Sequence, residues 1–270
     1  DQNALVEKNY IKNPTAILND GGGIAFDLAN GMVIQDNILV DGIGDLESSA
    51  PDFYNYIKIV HGIYFGDTQI QNTTVQRNTV SNFQGAGVYV DHTMVSTGNQ
   101  IKDNVLFNNL YQMLVSDFSN NVGTGALAPF HMPNYNDVYS GNLLYSIKES
   151  QTCMKQYNVY SANGVDFGTY TNNKYYHPYD ELSIYVHNTF SANHTKWTLE
   201  RWQVEKGEDA GSSRSPQRLS PYAVTSVLTP NMVANGTFDV NATGWNYWPS
   251  NATCTRDLTY LDNGGMKAYI

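Results

Sequence analysis

The chain has 270 residues, of which 41% are hydrophobic and only 15% charged, with 20 Tyr, 22 Gly and a formal net charge of −10. A surface of that sign repels nucleic acid and anionic membranes. It also weighs against a polyanionic substrate unless metal ions bridge the charges, so a neutral glycan is the easier partner. No stretch is long and apolar enough for a helix to span a membrane. Tyr favours strands, while Gly and Asn tolerate the positive φ of tight turns, so the composition predicts an all-β protein with many turns.

In chain order, the first half repeats one phrase, aliphatic-x-x-Asn-x-aliphatic. It occurs at Val6 to Ile11, Ile34 to Leu39, Val75 to Val80, Ile101 to Leu106 and, less regularly, Tyr139 to Leu144. The recurring residues are Asn9, Asn37, Asn78, Asn104 and Asn142. They are 28, 41, 26 and 38 positions apart, and the longer gaps hold insertions at residues 44–60 and 118–137. A period in the twenties, built of short strands, predicts a β-solenoid whose coils stack at the strand spacing of about 4.8 Å. The Asn residues then sit at turns and hydrogen-bond from coil to coil as a structural ladder.

A second recurrence opens each coil: Gly23-Ile-Ala-Phe-Asp27, Gly62-Ile-Tyr-Phe-Gly-Asp67, Gly87-Val-Tyr-Val-Asp-His92 and Gln112-Met-Leu-Val-Ser-Asp117. Period-two alternation sends Ile24, Phe26, Ile63, Phe65, Val88, Val90, Met113 and Val115 into the core. The outward columns are Ala25, Tyr64, Tyr89, Leu114 and then Asp27, Gly66, Asp91, Ser116, with Asp67, His92 and Asp117 at the strand ends. Tyr rings on an open sheet suit stacking on sugar faces, and Gly66 leaves room for a ring. The insertions carry Tyr54, Tyr56, Phe130, His131 and Tyr135, and long loops at fixed positions on a solenoid form cleft walls.

These repeats resemble the right-handed, single-stranded parallel β-helix of the pectin-lyase-like superfamily, over roughly residues 1–228. Thr198 to Ser213 is similar to a "TLxxWQxxxGxDxxS" segment that closes the helix in proteins of bacterial polysaccharide-degrading systems. Residues 229–270 change character. Asn235-Gly-Thr-Phe-Asp and Gly244-Trp-Asn-Tyr-Trp248 resemble the first strands of a jelly-roll carbohydrate-binding module, a partial β-sandwich in which Trp245 and Trp248 would stack on sugar. The resemblance implies a secreted, periplasmic or cell-surface protein acting on a polysaccharide or oligosaccharide. It does not choose an activity, because lyases, hydrolases, epimerases and phage tailspikes share the fold.

Three chemistries compete. Carboxylates on adjacent rungs lie about 5 Å apart and those two rungs apart about 10 Å, spacings that suit retaining and inverting glycosidases respectively. The expected catalytic pair is Asp67 and Asp91, supported by His92 and Asp27. Tyr64, Tyr89, Asp117, Tyr54, Tyr56 and His131 are the expected substrate contacts. The runner-up is a lyase or epimerase acting on uronate glycans. That chemistry uses Lys or Arg, which the four aligned strands lack, and often Ca²⁺, which Asp27, Asp67, Asp91 and Asp117 could bind; hydrolysis needs no cofactor. The third class is a non-catalytic, glycan-binding or adhesive β-helix, since strand-end Asp residues also cap turns.

His177, His187 and His194 show no metal-ligand spacing and are read as structural, and Trp197 and Trp202 as packing for the closing segment. Cys153 and Cys254 are expected to be free thiols in different domains. Five N-glycosylation sequons, at Asn72, Asn193, Asn235, Asn241 and Asn251, arise easily in an Asn- and Thr-rich chain and carry no argument. The chain starts inside a repeat and stops inside a domain-like segment, which predicts a piece of a longer protein. Nothing in it speaks to oligomeric state.

Overall fold

The computed structural model describes residues 2–45, 59–66, 68–91, 95–117, 135–158, 165–188, 193–215, 255–262 and 265–269. Two compact units are present, Asp1–Arg218 and Leu219–Ile270. In the second, Thr255–Asp262 pairs antiparallel with Gly265–Tyr269. The Asn235 and Gly244 motifs, including Trp245 and Trp248, lie outside the described residues, as does Cys254.

The first unit is all-β apart from one helix among its described residues, and its three sheets are parallel and stacked, as in a β-solenoid. The first sheet runs through Leu5–Glu7, Val33–Gln35, Thr74–Gln76, Val95–Lys102, Asn136–Ser140 and Thr169–Thr171. The second runs through Tyr10–Lys12, Ile38–Val40, Thr79–Ser81, Val105–Phe107, Leu143–Tyr145, Lys174–Tyr176 and Ser213–Ser215. The third runs through Asp20–Phe26, Ile59–Phe65, Ala86–Val90, Tyr111–Ser116, Thr152–Asn158 and Ile184–Asn188, and ends on Asn193–Trp197, its one antiparallel partner.

Pairing in register stacks like on like. Ile34, Val75, Ile101, Tyr139 and Tyr170 form one buried column, and Leu39, Val80, Leu106, Leu144 and Tyr175 another. All eight inward residues expected from the sequence are buried in this core. Each such side chain contributes about 1.5–3 kcal/mol on leaving water. Cys153 is a free thiol in the same core, and burial pushes its pKa to about 12.

The turn between the first two sheets carries the Asn ladder. From Asn9 through Asn37, Asn78, Asn104 and Asn142 to Asn173, each Nδ2 donates to the next Oδ1 at 2.9–3.1 Å. That same Oδ1 also accepts the preceding rung's backbone N–H, at 3.0–3.1 Å. The residue before each ladder Asn (Lys8, Asp36, Arg77, Asp103, Gly141, Asn172) is left-handed, with φ between 53° and 67°. The turn therefore costs some strain at ordinary residues, and the bonds made by the buried Asn offset it. Asn173, the sixth rung, lies beyond the five repeats read in the sequence.

The closing segment ends this ladder. Thr198 caps the helix Leu199–Lys206 by accepting the Arg201 N–H, and Gly207 terminates it at φ 68°. Leu199 and Trp202 are buried against the last coil. Gln203 donates to the carbonyls of Asp209 and Ser212. That loop places the Ser212 hydroxyl on the Asn173 N–H at 2.7 Å and the Asp209 carboxylate on Asn173 Nδ2 at 3.1 Å. Tyr175 also donates to Asp209, at 2.8 Å. Asp209 and Ser212, held in place by Gln203, thus satisfy the last described rung of the ladder.

A shorter ladder links Thr73, Asn99 and Asp137, where Asp137 accepts from the Asn99 N–H and the Ser96 hydroxyl. Burial raises the Asp137 pKa to about 6. A raised carboxylate pKa adds stability below the unfolded value near 3.9 and loses it as pH rises through about 6, so the ionised group is a net cost at neutral pH. Asp137→Asn is therefore expected to gain about 1–2 kcal/mol at pH 7 and little near pH 4, read from denaturant midpoints at the two values.

Candidate functional site

The outer face of the third sheet holds the candidate site, and one backbone irregularity shapes it. In each of its middle rungs two consecutive residues point inward. Gly62 precedes Ile63, Gly87 precedes Val88, Gln112 precedes Met113, and Cys153 precedes Met154. A Cβ on Gly62 would collide with Val80 and the Gly87 carbonyl, which shows that it faces the crowded interior. Gln112 is fully buried, and Cys153 and Met154 both lie in the core. The doubled inward step turns the preceding residue outward, and so His61, Ala86 and Tyr111 join the outer face. Strict alternation back from Ile63, Val88 and Met113 would have buried them inside.

Two outer columns follow from the pairing. One is Ala25, Tyr64, Tyr89, Leu114, Lys155 and Tyr185. The other is Asp27, Gly66, Asp91, Ser116, Tyr157, His187 and His194. The expected positions of Asp27, Tyr64, Tyr89 and Asp91 on this face are therefore correct. Asp67, His92, Tyr54, Tyr56 and His131 lie outside the described residues.

At the centre, the Tyr64 hydroxyl donates to Asp91 Oδ2 at 2.6 Å, and the Ser116 hydroxyl reaches Oδ1 at 3.3 Å. Ser116 Oγ lies 2.9 Å from the Tyr89 hydroxyl. The His61 ring stacks on Tyr64 with centroids 5.4 Å apart and tilts against Tyr89 at 4.7 Å. Asp91 is half-buried at the edge of this cluster, with its carboxylate oriented by two hydroxyls.

Three expectations need correction. Tyr89 faces outward but is only 8% exposed, because His61, Tyr64 and Leu114 close over it. Burial, together with the Asp91 charge, raises its phenol pKa well above the usual value. It buttresses Asp91 through Ser116 instead of offering an open stacking surface. Asp117 is 2% exposed and so does not present a carboxylate to solvent. The room at Gly66 is already taken, since a Cβ there would overlap the Asp27 carboxylate. Asp27 itself is exposed, and its Oδ1 accepts from the Thr68 hydroxyl at 3.2 Å in a turn where Leu28 has φ 48°. With its carboxylate over Gly66, Asp27 comes within about one strand spacing, roughly 5 Å, of the Asp91 rung.

His61 is the most deeply buried of the described imidazoles on this face. Its Nδ1 accepts the Ala86 N–H at 2.9 Å, so the ring proton resides on Nε2. Burial lowers its pKa to about 4, opposed by the Asp91 charge. A depressed histidine adds stability that is present above the unfolded value of about 6.5 and is lost as pH falls through about 4. His61→Gln is therefore expected to flatten the fall in stability between pH 7 and pH 4 by roughly 3 kcal/mol, measured from unfolding midpoints against the wild type.

The fifth rung brings Lys155, which the sequence does not single out, and the sixth brings His187, expected from the sequence to be structural. Lys155 lies with its Nζ over the rings of Tyr111, Tyr157 and Tyr185, 4.7, 5.0 and 5.5 Å from their centroids, and donates to the Tyr111 hydroxyl at 3.4 Å. Desolvation lowers its pKa to about 8. His187 packs on Tyr157 at 4.8 Å and edge-on to His194 at 4.3 Å. Burial lowers its pKa, followed by the Lys155 and His194 charges. The absence of Lys and Arg thus holds for four rungs and ends at the fifth. His187 and His194 share the outer column with Asp91, whereas His177 is buried and bonded to the Gln151 carbonyl, as a structural histidine should be. Thr152–Asn158 lacks the Gly-aliphatic-Tyr phrase, so no sequence signal marks it, and only the pairing of Leu114 with Lys155 places it on this face.

Among the described residues no three His, Cys, Asp or Glu side chains converge as a metal site, and no helix is long and apolar enough to cross a membrane. Comparison of the chain with protein-family models, with curated proteins and with solved structures finds no match.

Proposed function

We propose that the protein is a right-handed, single-stranded parallel β-helix of the pectin-lyase-like kind that works outside the cytoplasm. In this reading it hydrolyses a glycosidic bond of a polysaccharide or oligosaccharide bound along the outer face of its third sheet. The observation that carries the reading is the Asp91 carboxylate, oriented by Tyr64 and Ser116 in an outer column with Asp27. Tyrosines beside such a row suit a sugar, which offers apolar faces and hydroxyl edges.

In this reading Asp91 serves as nucleophile or base, and its partner comes from the neighbouring rung. Asp67, next to Gly66 in the chain, is the partner expected from the sequence. Asp27, with its carboxylate over Gly66, is the partner favoured by position. A separation of about 5 Å suits a retaining double displacement, in which the second carboxyl protonates the leaving oxygen and then deprotonates water. Residues 229–270, within the second unit, are read as the start of a sugar-binding β-sandwich.

The test is a screen of the protein against neutral and uronate polysaccharides. New reducing ends without an unsaturated chromophore support hydrolysis. An unsaturated product assigns the face to a lyase, and binding without cleavage assigns it to a glycan-binding β-helix. An Asp91→Asn variant run in parallel separates turnover by this site from a contaminating activity.

A further inference from the structure

The last pairing of the third sheet brings two imidazoles together. Asn193–Trp197 runs antiparallel to Ile184–Asn188, and the register sets His194 directly opposite His187. Opposed residues on one face of an antiparallel pair hold their Cβ atoms about 4.5–5.5 Å apart. The rings accordingly meet edge to face, with centroids 4.3 Å apart. Spacing along the chain does not announce this contact, which forms only because the strand folds back on its neighbour.

The pair differs from the other described histidines in what its nitrogens do. His61 Nδ1 accepts the Ala86 N–H, while His177 bonds the Gln151 carbonyl through Nε2 and accepts the Asp180 N–H at Nδ1. Those two rings are buried and held by the backbone. His187 is half-buried and His194 exposed, and among the described residues no hydrogen bond or ion pair engages either ring. What touches His187 besides His194 is aromatic: Tyr157 at 4.8 Å and Tyr185 at 5.6 Å between centroids. Burial, followed by the charges of Lys155 and His194, lowers the His187 pKa and so favours the neutral ring, one nitrogen of which carries a free lone pair.

Two imidazoles fixed side by side on paired strands make a chelate. Neutral imidazole is the commonest metal ligand among side chains, and rings already held together lose little freedom in closing on one ion. Among the described residues no third His, Cys, Asp or Glu joins them, so they do not offer the closed four-ligand shell of structural zinc. Two nitrogens, with water in the remaining positions, suit copper(II), which binds nitrogen ligands most strongly among the divalent first-row metals. Calcium, a hard cation, takes oxygen ligands instead.

We propose that His187 and His194 form a two-imidazole site for a divalent transition metal, with copper(II) bound tightest. The ion joins the antiparallel edge strand that ends the third sheet to the strand before it. The site lies three rungs from Asp91 in the same outer column, about 14 Å along the stack. It is therefore separate from the proposed hydrolytic carboxylates and does not depend on the glycan reading. Lys155 opposes it, because the ammonium charge that disfavours a protonated His187 also repels a metal ion.

The experiment is a titration of the metal-stripped 270-residue chain with copper(II) at neutral pH, followed by calorimetry and electron paramagnetic resonance. Nickel(II), zinc(II) and calcium are parallel probes. One tight copper per chain is expected, with a resonance split by two imidazole nitrogens and an unfolding temperature that rises with copper. Nickel and zinc should bind the same residues more weakly, and calcium should not compete. His187→Gln and His194→Gln should each weaken copper binding by about tenfold or more, because one of two tethered ligands is lost, and each should remove one nitrogen from the resonance. Lys155→Leu should tighten binding by removing the repelling charge. Wild-type affinity in both histidine variants overturns the site and assigns the copper elsewhere in the chain. Failure of the wild type to bind copper, or a resonance showing a single nitrogen, overturns it as well. His194→Gln alters an exposed side chain and so decides the matter even if His187→Gln fails to fold.

Discussion

Asp91→Asn lowers hydrolysis of the responsive glycan by about 10²–10⁴-fold, the range for losing a positioned acid, base or nucleophile. The expected loss falls on kcat, because Asn matches Asp in shape, its one oxygen still accepts from the Tyr64 hydroxyl, and the Ser116 hydroxyl can turn its proton to Tyr89 and accept from the new Nδ2. For the same reason the unfolding midpoint should stay close to that of the wild type. Asp67→Asn and Asp27→Asn, assayed beside it, identify the partner. A loss with Asp27 makes it part of the machinery, whereas unchanged rates leave it as a turn residue bonded to Thr68. Full activity in both the Asp91 and Asp67 variants would remove the site assignment altogether.

Asn104→Ala is expected to destabilise the first unit by about 3 kcal/mol, seen as a lower denaturant midpoint with an unchanged fold by circular dichroism. Asn104 is 1% exposed and stands mid-ladder. Its Oδ1 accepts from the Asn78 N–H and Nδ2, and its own Nδ2 donates to the Val75 carbonyl and Asn142. Alanine leaves the Asn78 N–H and the Val75 carbonyl without these partners in a dry interior, and each such group costs about 1–3 kcal/mol. Asn9→Ala, at the exposed end of the same ladder, should cost well under half as much, since water replaces what is lost there. Equal costs at both positions would mean that the ladder bonds are not what holds the coils in register.

Much of this was written locally. The ladder is legible because each coil must solve the same turn problem with the same residue, and so Asn recurs at the coil period. The inward residues are legible because stacking forces like onto like across every rung. The closing segment is legible as a pattern, but its purpose is not. Only in three dimensions do Asp209 and Ser212 reach Asn173, after a helix and a left-handed glycine bring the chain back.

The site was legible only in part. Tyr64 and Asp91 fall where alternation puts them, and their hydrogen bond unites neighbouring coils. His61 and Tyr111 did not, because a doubled inward step at Gly62 and Gln112 reverses the parity on one side of each strand. Nothing local marks that step at Gln112 or Cys153. Tyr89 looked like an open platform until its neighbours across coils covered it. Lys155 belongs to a strand without the recurring phrase, and pairing alone puts it in the column of Tyr64 and Tyr89. By itself, then, the sequence determined the solenoid, its period and its core, because those follow from repetition within each coil. The tertiary structure decided which polar side chains meet on the outer face and which of them are covered, because those contacts join residues from different coils and depend on backbone irregularities that side-chain periodicity does not record.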